Sequence, residues 1–312
     1  MRLISFIFIS ILFIRCSPYR SQTEIKILAN YPSASAIEYF DNAFYIIGDD
    51  ATSILILDND LAIKDSIQLY NSNEYRLPKP TKPDLESMTV FHTTAGYRLL
   101  VLGSGSLPPY RNTGWLIDPK TKQATNFRLD TLYQHLISLS GIREVNIEGI
   151  CTLPGGLLLV SRGHQSYPEN NLLFIDSSFY FNLNNAVARR IKIERPLTDT
   201  SAFSGISGLS YSTKTDRLFL TLSTELTSST YTDGPIGKSY LWIINNFSEK
   251  LNVDKVLPDK IIELDKIDAG FKNQKIESVC IIAERKNETQ LAMVADNDNG
   301  TSTLFKLAIE IN

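Results

Sequence analysis

Asn146-Ile147-Glu148-Gly149-Ile150-Cys151, followed after Pro154-Gly155-Gly156 by Leu157-Leu158-Leu159-Val160-Ser161-Arg162-Gly163-His164, is the stretch whose reading decides the fold. A carboxylate stands at the start of a short apolar run, Pro and Gly turn the chain back, and a second run of strand length leads out into polar residues. The same unit recurs as Asp84-Leu85-Glu86-Ser87-Met88 before Arg98 to Ser104, and as Lys275-Ile276-Glu277-Ser278-Val279-Cys280 before Gln290 to Asp296. Looser copies are Ala36-Ile37-Glu38-Tyr39-Phe40 before Phe44 to Asp49, and Gly205-Ile206-Ser207-Gly208-Leu209 before Arg217 to Thr221. Five copies, four of them with Glu at one register, describe a repeat architecture.

Residues 38, 86, 148, 207 and 277 mark the copies at intervals of 48, 62, 59 and 70. A four-stranded propeller blade uses roughly 40 to 45 residues, so each interval holds one blade and a surplus of loop. The fifth copy is one strand short, whereas Thr23 to Ala29 alternates as a strand with no neighbour in sequence. Pairing that strand with the last blade closes the ring. The expectation is an all-β, five-bladed β-propeller of four-stranded antiparallel blades over residues 17–312, closed by its N-terminal strand. A sixth, degenerate blade within residues 225–275 is the alternative. One short inserted helix interrupts the pattern at Asp130 to Ser140, where Leu132, Leu136 and Leu139 recur at helical spacing. Asp130 or Thr131 can cap its start and Gly141 suits its end.

With 43% hydrophobic and 21% charged residues, the chain has the composition of a folded globular protein. Residues 1–16 stand apart. Arg2 precedes an apolar run from Leu3 to Ile14 that is too short for the ~20 residues of a membrane span and suits the core of a signal peptide. Cys16 follows it, where bacterial lipoproteins carry their acylated Cys, although Phe13-Ile14-Arg15 is an unusual approach to such a residue. The mature domain is therefore expected to be exported and lipid-anchored at Cys16 in the bacterial cell envelope, periplasmic or associated with the outer membrane. Without residues 1–16 the chain has 29 basic residues against 34 acidic ones and no basic run, which argues against a nucleic-acid partner. Cys151 and Cys280 each lie three residues after the repeat Glu and read as equivalent buried strand positions, with a disulfide as the alternative.

In a propeller the first strand of each blade is innermost, so Glu38, Glu86, Glu148, Ser207 and Glu277 are expected to converge on the central channel. Like charges in a narrow channel disfavour ionisation unless a cation lies between them. An all-oxygen donor set suits Ca²⁺, which accepts ~6 to 8 oxygens, better than Zn²⁺, which prefers His and Cys. The alternative is a mechanical latch in which each Glu accepts backbone N–H groups of the next blade.

The Glu-Gly or Glu-Ser motif before an apolar strand resembles the phytase-like and esterase-like propellers of secreted bacterial proteins. The resemblance is carried by Asp84-Leu85-Glu86 with Gly103-Ser104-Gly105-Ser106 and Arg111, and by Asn146-Ile147-Glu148-Gly149 with Arg162-Gly163. More distantly, the order Glu86, Glu148, Ser207, Glu277 is similar to that of the calcium-activated nucleotidases, or apyrases, and implies five blades around a channel Ca²⁺. Asp49-Asp50 matches an acidic pair of that family. The family's Arg-Thr-Gly after the pair is Ala51-Thr52-Ser53 here, and its Lys-Glu-Trp loop is replaced by Gly-Ser-Gly-Ser.

Loops joining the second and third strands open on one face. They bring Asp49 and Asp50, then Ser104, Ser106 and Arg111, then Arg162, His164 and Asn170, then Glu225 and Lys238, then Asp296, Asn297 and Asp298. Asp296-Asn297-Asp298-Asn299-Gly300 reads as a hairpin turn, because Gly300 sits where a calcium loop needs a ligand. Arg groups near a cation can hold a phosphate or carboxylate, and acids can position a water. The catalytic set expected is Asp50, Arg162 and His164, with Asp49, Ser104, Arg111, Asn170 and Asp296 as ligand contacts. The reading is a monomeric Ca²⁺-dependent hydrolase of phosphoric or carboxylic esters acting on a small anionic ligand. The alternative is an envelope protein that binds a ligand or a protein without chemistry around a structural ring.

Overall fold

A computed structural model describes residues 21–311 except 73, 165, 181–186, 195–202, 226–235 and 286. Cys16, the rest of the signal segment and most of the Glu225 to Lys238 loop lie outside the described residues. After β1 (Ser21–Leu28), blade one is β2 (Ala34–Phe40), β3 (Ala43–Gly48), β4 (Ser53–Asp58) and β5 (Ile63–Gln68). Blade two is β6 (Leu85–Thr93), β7 (Gly96–Gly103), β8 (Thr113–Ile117) and β9 (Ala124–Arg128), followed by the helix α1 (Asp130–Ser140). Blade three is β10 (Ile147–Leu153), β11 (Gly156–Ser161), β12 (Asn170–Asp176) and β13 (Ala188–Ile193). Blade four is β14 (Ser204–Ser212), β15 (Arg217–Glu225), β16 (Ile236–Asn245) and β18 (Lys260–Glu263), with β17 (Lys255–Val256) before its last strand. Blade five is β19 (Lys275–Glu284), β20 (Glu288–Asp296) and β21 (Ser302–Glu310), and β1 completes it by antiparallel pairing with β21.

These five sheets form the expected ring; β16 and β18 complete blade four, and the described residues hold no sixth sheet. Strand β17 departs from the expectation: it leaves blade four and pairs in parallel with the outer strand of blade three, Lys192 to Lys255 and Ile193 to Val256. Among the described residues no helix is long and apolar enough to cross a membrane. The apolar side chains collect in the seams between blades. Phe44, Ile46 and Leu57 of blade one lie in one cluster with Leu99 and Val101 of blade two and Val294 of blade five. Phe219 and Ile243 of blade four share another with Phe305 of blade five.

Helix α1 has the expected bounds and ends on Gly141 in the left-handed region (φ 67), whose N–H donates to Ile137 O at 3.0 Å. Its start differs, because Leu129 is the N-cap and no side chain caps it. Asp130 instead accepts from Asn112 Nδ2 at 2.8 Å and from Arg128. Its buried face is Leu132, Tyr133 and Leu136, whereas Leu139 is exposed. Tyr133 is the reason for the shift. Its hydroxyl donates to Gly103 O and its ring fills the space where a Cβ on Gly105 would stand, 2.6 Å away, so the helix props the loop at the end of β7.

The inner strands β2, β6, β10, β14 and β19 touch one another in turn around the channel. Each carries a register slip against its second strand, between Ala34 and Ala36, Leu85 and Ser87, Ile147 and Gly149, Ile206 and Gly208, and Ile276 and Ser278. A bulge leaves one residue unpaired and re-aims its side chain. The bulged residues are Ser35, Glu86, Glu148, Ser207 and Glu277. The residue after each bulge is Ala, Ser, Gly, Gly or Ser, and the reason is close approach. A Cβ on Gly149 would lie 2.5 Å from the Leu209 side chain and 3.1 Å from Gly208 Cα. Gly149→Ala is therefore expected to lower the stability of the ring by about 1–3 kcal/mol, the usual cost of overpacking. The urea midpoint measures this, and an unchanged midpoint would show that the inner strands separate freely.

Candidate functional site

The bulge register corrects one sequence assignment. The blade-one member of the ring is Ser35, not Glu38, which lies three residues further along β2 opposite Tyr45. Ser35 Oγ donates to Leu85 O of the next blade at 2.5 Å, as Ser207 Oγ does to Ile276 O at 2.5 Å. The two ring serines thus turn to neighbouring backbone and work as latches. Glu38 is a latch of another kind, accepting from Val90 N at 3.2 Å and from Tyr39 N at 3.1 Å. Its equivalents in blades three and five are Cys151 and Cys280, both buried free thiols. Desolvation, then the neighbouring Glu38 charge, pushes both thiols up.

The remaining ring residues, Glu86, Glu148 and Glu277, meet a second layer made by the ends of the second strands and by the residues entering the inner ones. Asp49, Ser104, Arg162 and Asp296 follow from the same register in blades one, two, three and five. Its blade-four member is Ser223, which pairs with Gly205 in the ladder. Lys238 instead forms an ion pair with Glu263 of β18 at 2.5 Å.

Two lysines organise this layer. Lys82 Nζ contacts Asp49 Oδ2 and lies 2.8 Å from Asp84 Oδ1. Oxygens of Asp49, Asp84 and Glu86 all lie within 4.8 Å of one another, a spacing that suits a metal ion. Glu86 makes no hydrogen bond or ion pair with another described residue, and burial followed by the charges of Asp84, Glu148 and Asp49 raises its pKa well above the carboxylate range. Burial, against the pull of Lys82, raises Asp49 to about 7. Asp49 Oδ1 and the adjacent Asp50 Oδ1 are buried without a hydrogen-bond partner.

On the other side Lys275 Nζ lies 3.0 Å from Glu277 Oε1, and Lys275 pairs with Asp296 in the ladder. Glu148 accepts from Asn146 Nδ2 at 2.7 Å and faces Arg162 Nη1 at 3.4 Å. Burial raises Glu148, and the charges of Arg162 and Lys275 oppose the rise. Arg162 lies across Gly205, where a Cβ would stand 2.0 Å from its Nε. Glycine at 205 leaves room for the guanidinium to reach over blade four.

Several residues expected to contact a ligand are occupied internally. Arg111 Nη1 donates to Asp84 Oδ2 and to Ser106 Oγ, both at 2.7 Å, and Ser104 Oγ donates to Asp84 at 2.5 Å. Asn170 ties blade three to blade four by accepting from Gly163 N and Ile206 N and donating to Ser204 O at 2.9 Å. Asp50 accepts from Arg76 Nε at 2.8 Å. His164 Nε2 sits 2.7 Å from Glu144 Oε1, and its Nδ1 is buried without a partner. Asp296 begins the expected hairpin turn, in which Asp298 and Gly300 take positive φ values of 55 and 85. Burial raises its pKa.

Lys82, Arg76, Asp84 and Lys275 carry no role in the sequence reading. Asp84, Asn146 and Lys275 share one place, two residues before the bulge, so aligning that column would have found them. Lys82 and Arg76 come from the connection between blades one and two, which has no repeat. Together Asp49, Asp50, Asp84, Glu86, Glu148, Glu277 and Asp296 outnumber Arg76, Lys82, Arg111, Arg162 and Lys275 by two charges. The site can be balanced by two protons or by one divalent cation.

These features define a five-bladed β-propeller with an acidic, partly self-neutralised channel mouth. The chain belongs to a family of unknown function, DUF6929, whose model matches residues 30–309. No curated protein matches it significantly. Among solved structures it is similar to the glutaminyl cyclase of Myxococcus xanthus, with 9% identity, a TM-score of 0.52, and coverage of 94% of this chain and 98% of that one. It is also similar to a candidate exported protein of Bacteroides fragilis, at 9% identity, TM-score 0.44 and coverage of 93% and 96%. An auxiliary nutrient binding protein of Bacteroides thetaiotaomicron has 9% identity, TM-score 0.42 and coverage of 93% and 78%. At these identities the likeness is one of fold.

The Glu38 latch has a pH signature. Desolvation raises its pKa from 4.5 to about 7 against the lowering effect of the Tyr39 and Val90 N–H groups. Between those values the folded state binds the proton more tightly than the unfolded chain, so stability falls as pH rises through the window, by about 3 kcal/mol at most for this residue. Glu38→Gln should flatten that part of the melting-temperature profile. A parallel profile in the variant would show that Glu38 ionises freely.

Proposed function

We propose that the channel mouth binds a divalent cation of the calcium type on Asp49, Asp84 and Glu86, and that the protein is an exported, lipid-anchored hydrolase of phosphoric or carboxylic esters. The observation that carries this reading is the mutual approach of those carboxylates to within 4.8 Å, with Glu86 facing them unpaired. The orphaned Asp49 Oδ1 fits the same group, because a buried carboxylate oxygen without a donor is a ready cation ligand. The reaction class comes from the resemblance to phytase-like and esterase-like propellers and to calcium-activated nucleotidases, and export and anchoring come from residues 1–16. Bound there, Ca²⁺ would polarise an ester's phosphoryl or carbonyl oxygen. Arg162, held over Gly205, would take the ligand's anionic oxygens by its fork. Lys82 would leave the Asp49–Asp84 pair as the cation arrives, since both neutralise the same oxygens.

A second reading, binding without chemistry, is favoured by the internal pairing of Asp50 with Arg76 and of His164 with Glu144. Two of the three residues expected to be catalytic are thus engaged in internal pairs.

Calorimetric titration with Ca²⁺ tests the site, because the raised Asp49 and Glu86 must lose their protons to bind. Binding should release protons, and affinity should rise with pH through about 7. No heat and no thermal shift with Ca²⁺ would sink the cation reading. Lys82→Met removes the competing ammonium and should tighten Ca²⁺ by about tenfold, roughly 1.4 kcal/mol of lost repulsion, while Glu86→Gln weakens it. Assaying p-nitrophenyl phosphate and p-nitrophenyl acetate with and without EDTA separates the two functions: Ca²⁺ binding without turnover of either ester leaves binding alone.

A further inference from the structure

Strand β1 sets the face of the propeller at which the chain enters the domain. Its register runs from Ser21 opposite Ile309 to Leu28 opposite Ser302. Ser302 pairs with Asp296, and Asp296 with Lys275, so Leu28 ends at the level of the channel mouth. Ser21 therefore starts at the opposite face, beside the hairpin joining β19 to β20. The five residues from Cys16 to Ser21 reach at most roughly 18 Å even when fully extended. Strand β21, with nine residues, spans about 30 Å at ~3.3 Å per residue. A mouth turned toward the bilayer would lift Ser21 beyond that tether.

We propose that the anchored propeller rests on the lipid surface through the face opposite the channel mouth, so that the mouth opens into the aqueous compartment and takes a water-soluble ligand, not a lipid of its own bilayer. This rests on the anchored reading above and is independent of the cation. The face in question is made of the hairpin tips, including Tyr97 at the start of β7, which is 50% exposed. Tyr110, 49% exposed, lies beyond the other end of the same strand, on the mouth side.

The two tyrosines make a ruler. In the acylated protein on vesicles of phosphatidylethanolamine and phosphatidylglycerol, a dye on Tyr97→Cys should be quenched strongly by headgroup-labelled lipid, and a dye on Tyr110→Cys only weakly. Cys151 and Cys280 are buried and leave the new thiols to react selectively. Stronger quenching at Tyr110→Cys, or equal quenching at both sites, overturns the orientation while the anchor stands. Mass spectrometry of the N-terminal peptide, with membrane release of Cys16→Ser, reports the anchor separately. An unacylated Cys16 removes the anchor and the orientation with it.

Discussion

The close approach of five inner strands is the constraint on which the rest of the structure depends. Backbones this near one another tolerate only Ala, Ser or Gly beside each bulge, as the contact of Gly149 with Leu209 and Gly208 shows. The same bulges re-aim one side chain per blade. Where that side chain is Ser it reaches the neighbouring backbone and closes a seam. Where it is Glu it is directed into a space already rich in carboxylates. Packing and chemistry at the channel are thus consequences of one backbone irregularity repeated five times.

Electrostatics then divides the mouth into two halves. Lys82 serves Asp49 and Asp84, and Lys275 serves Glu277 near Glu148 and Asp296. Burial alone would disfavour the Lys82 ammonium, yet the charges of Asp49, Asp84 and Glu86 hold it protonated. Glu86 lies outside both pairs and is the group with most to gain from a cation or a proton. Among the described residues blade four contributes Gly205, Ser207 and Ser223 at this level, and Arg162 lies over Gly205. The mouth thus carries Lys82 with Asp49 and Asp84 on one side and Arg162 with Glu148 on the other.

The candidate site was only partly legible. Glu86, Glu148, Ser207 and Glu277 stand out in the sequence because Glu or Ser recurs at one register before an apolar strand. Glu38 was misaligned because it repeats the residue type but not the context: the blade-one equivalent of Glu-Ser-Met is Ser35-Ala36-Ile37, which keeps the small and apolar positions and changes the first. Arg111 and Asn170 were read as ligand contacts from their polarity and position. A sequence cannot show that a polar side chain is already satisfied by Asp84 or by the backbone of Ile206.

By itself the sequence determined the blade number, the closing role of the first strand and the helix at Asp130 to Ser140, because hydrophobic period and turn chemistry are local and repeat. Tertiary structure alone decided which charges meet. Asp49 follows the second strand of blade one while Lys82 and Asp84 stand together at the entry to blade two, and on the other side of the channel Arg162 of blade three meets Glu148 as Lys275, from the far end of the chain, holds Glu277. Their partnership depends on distances through space, which the spacing of residues along a chain does not encode.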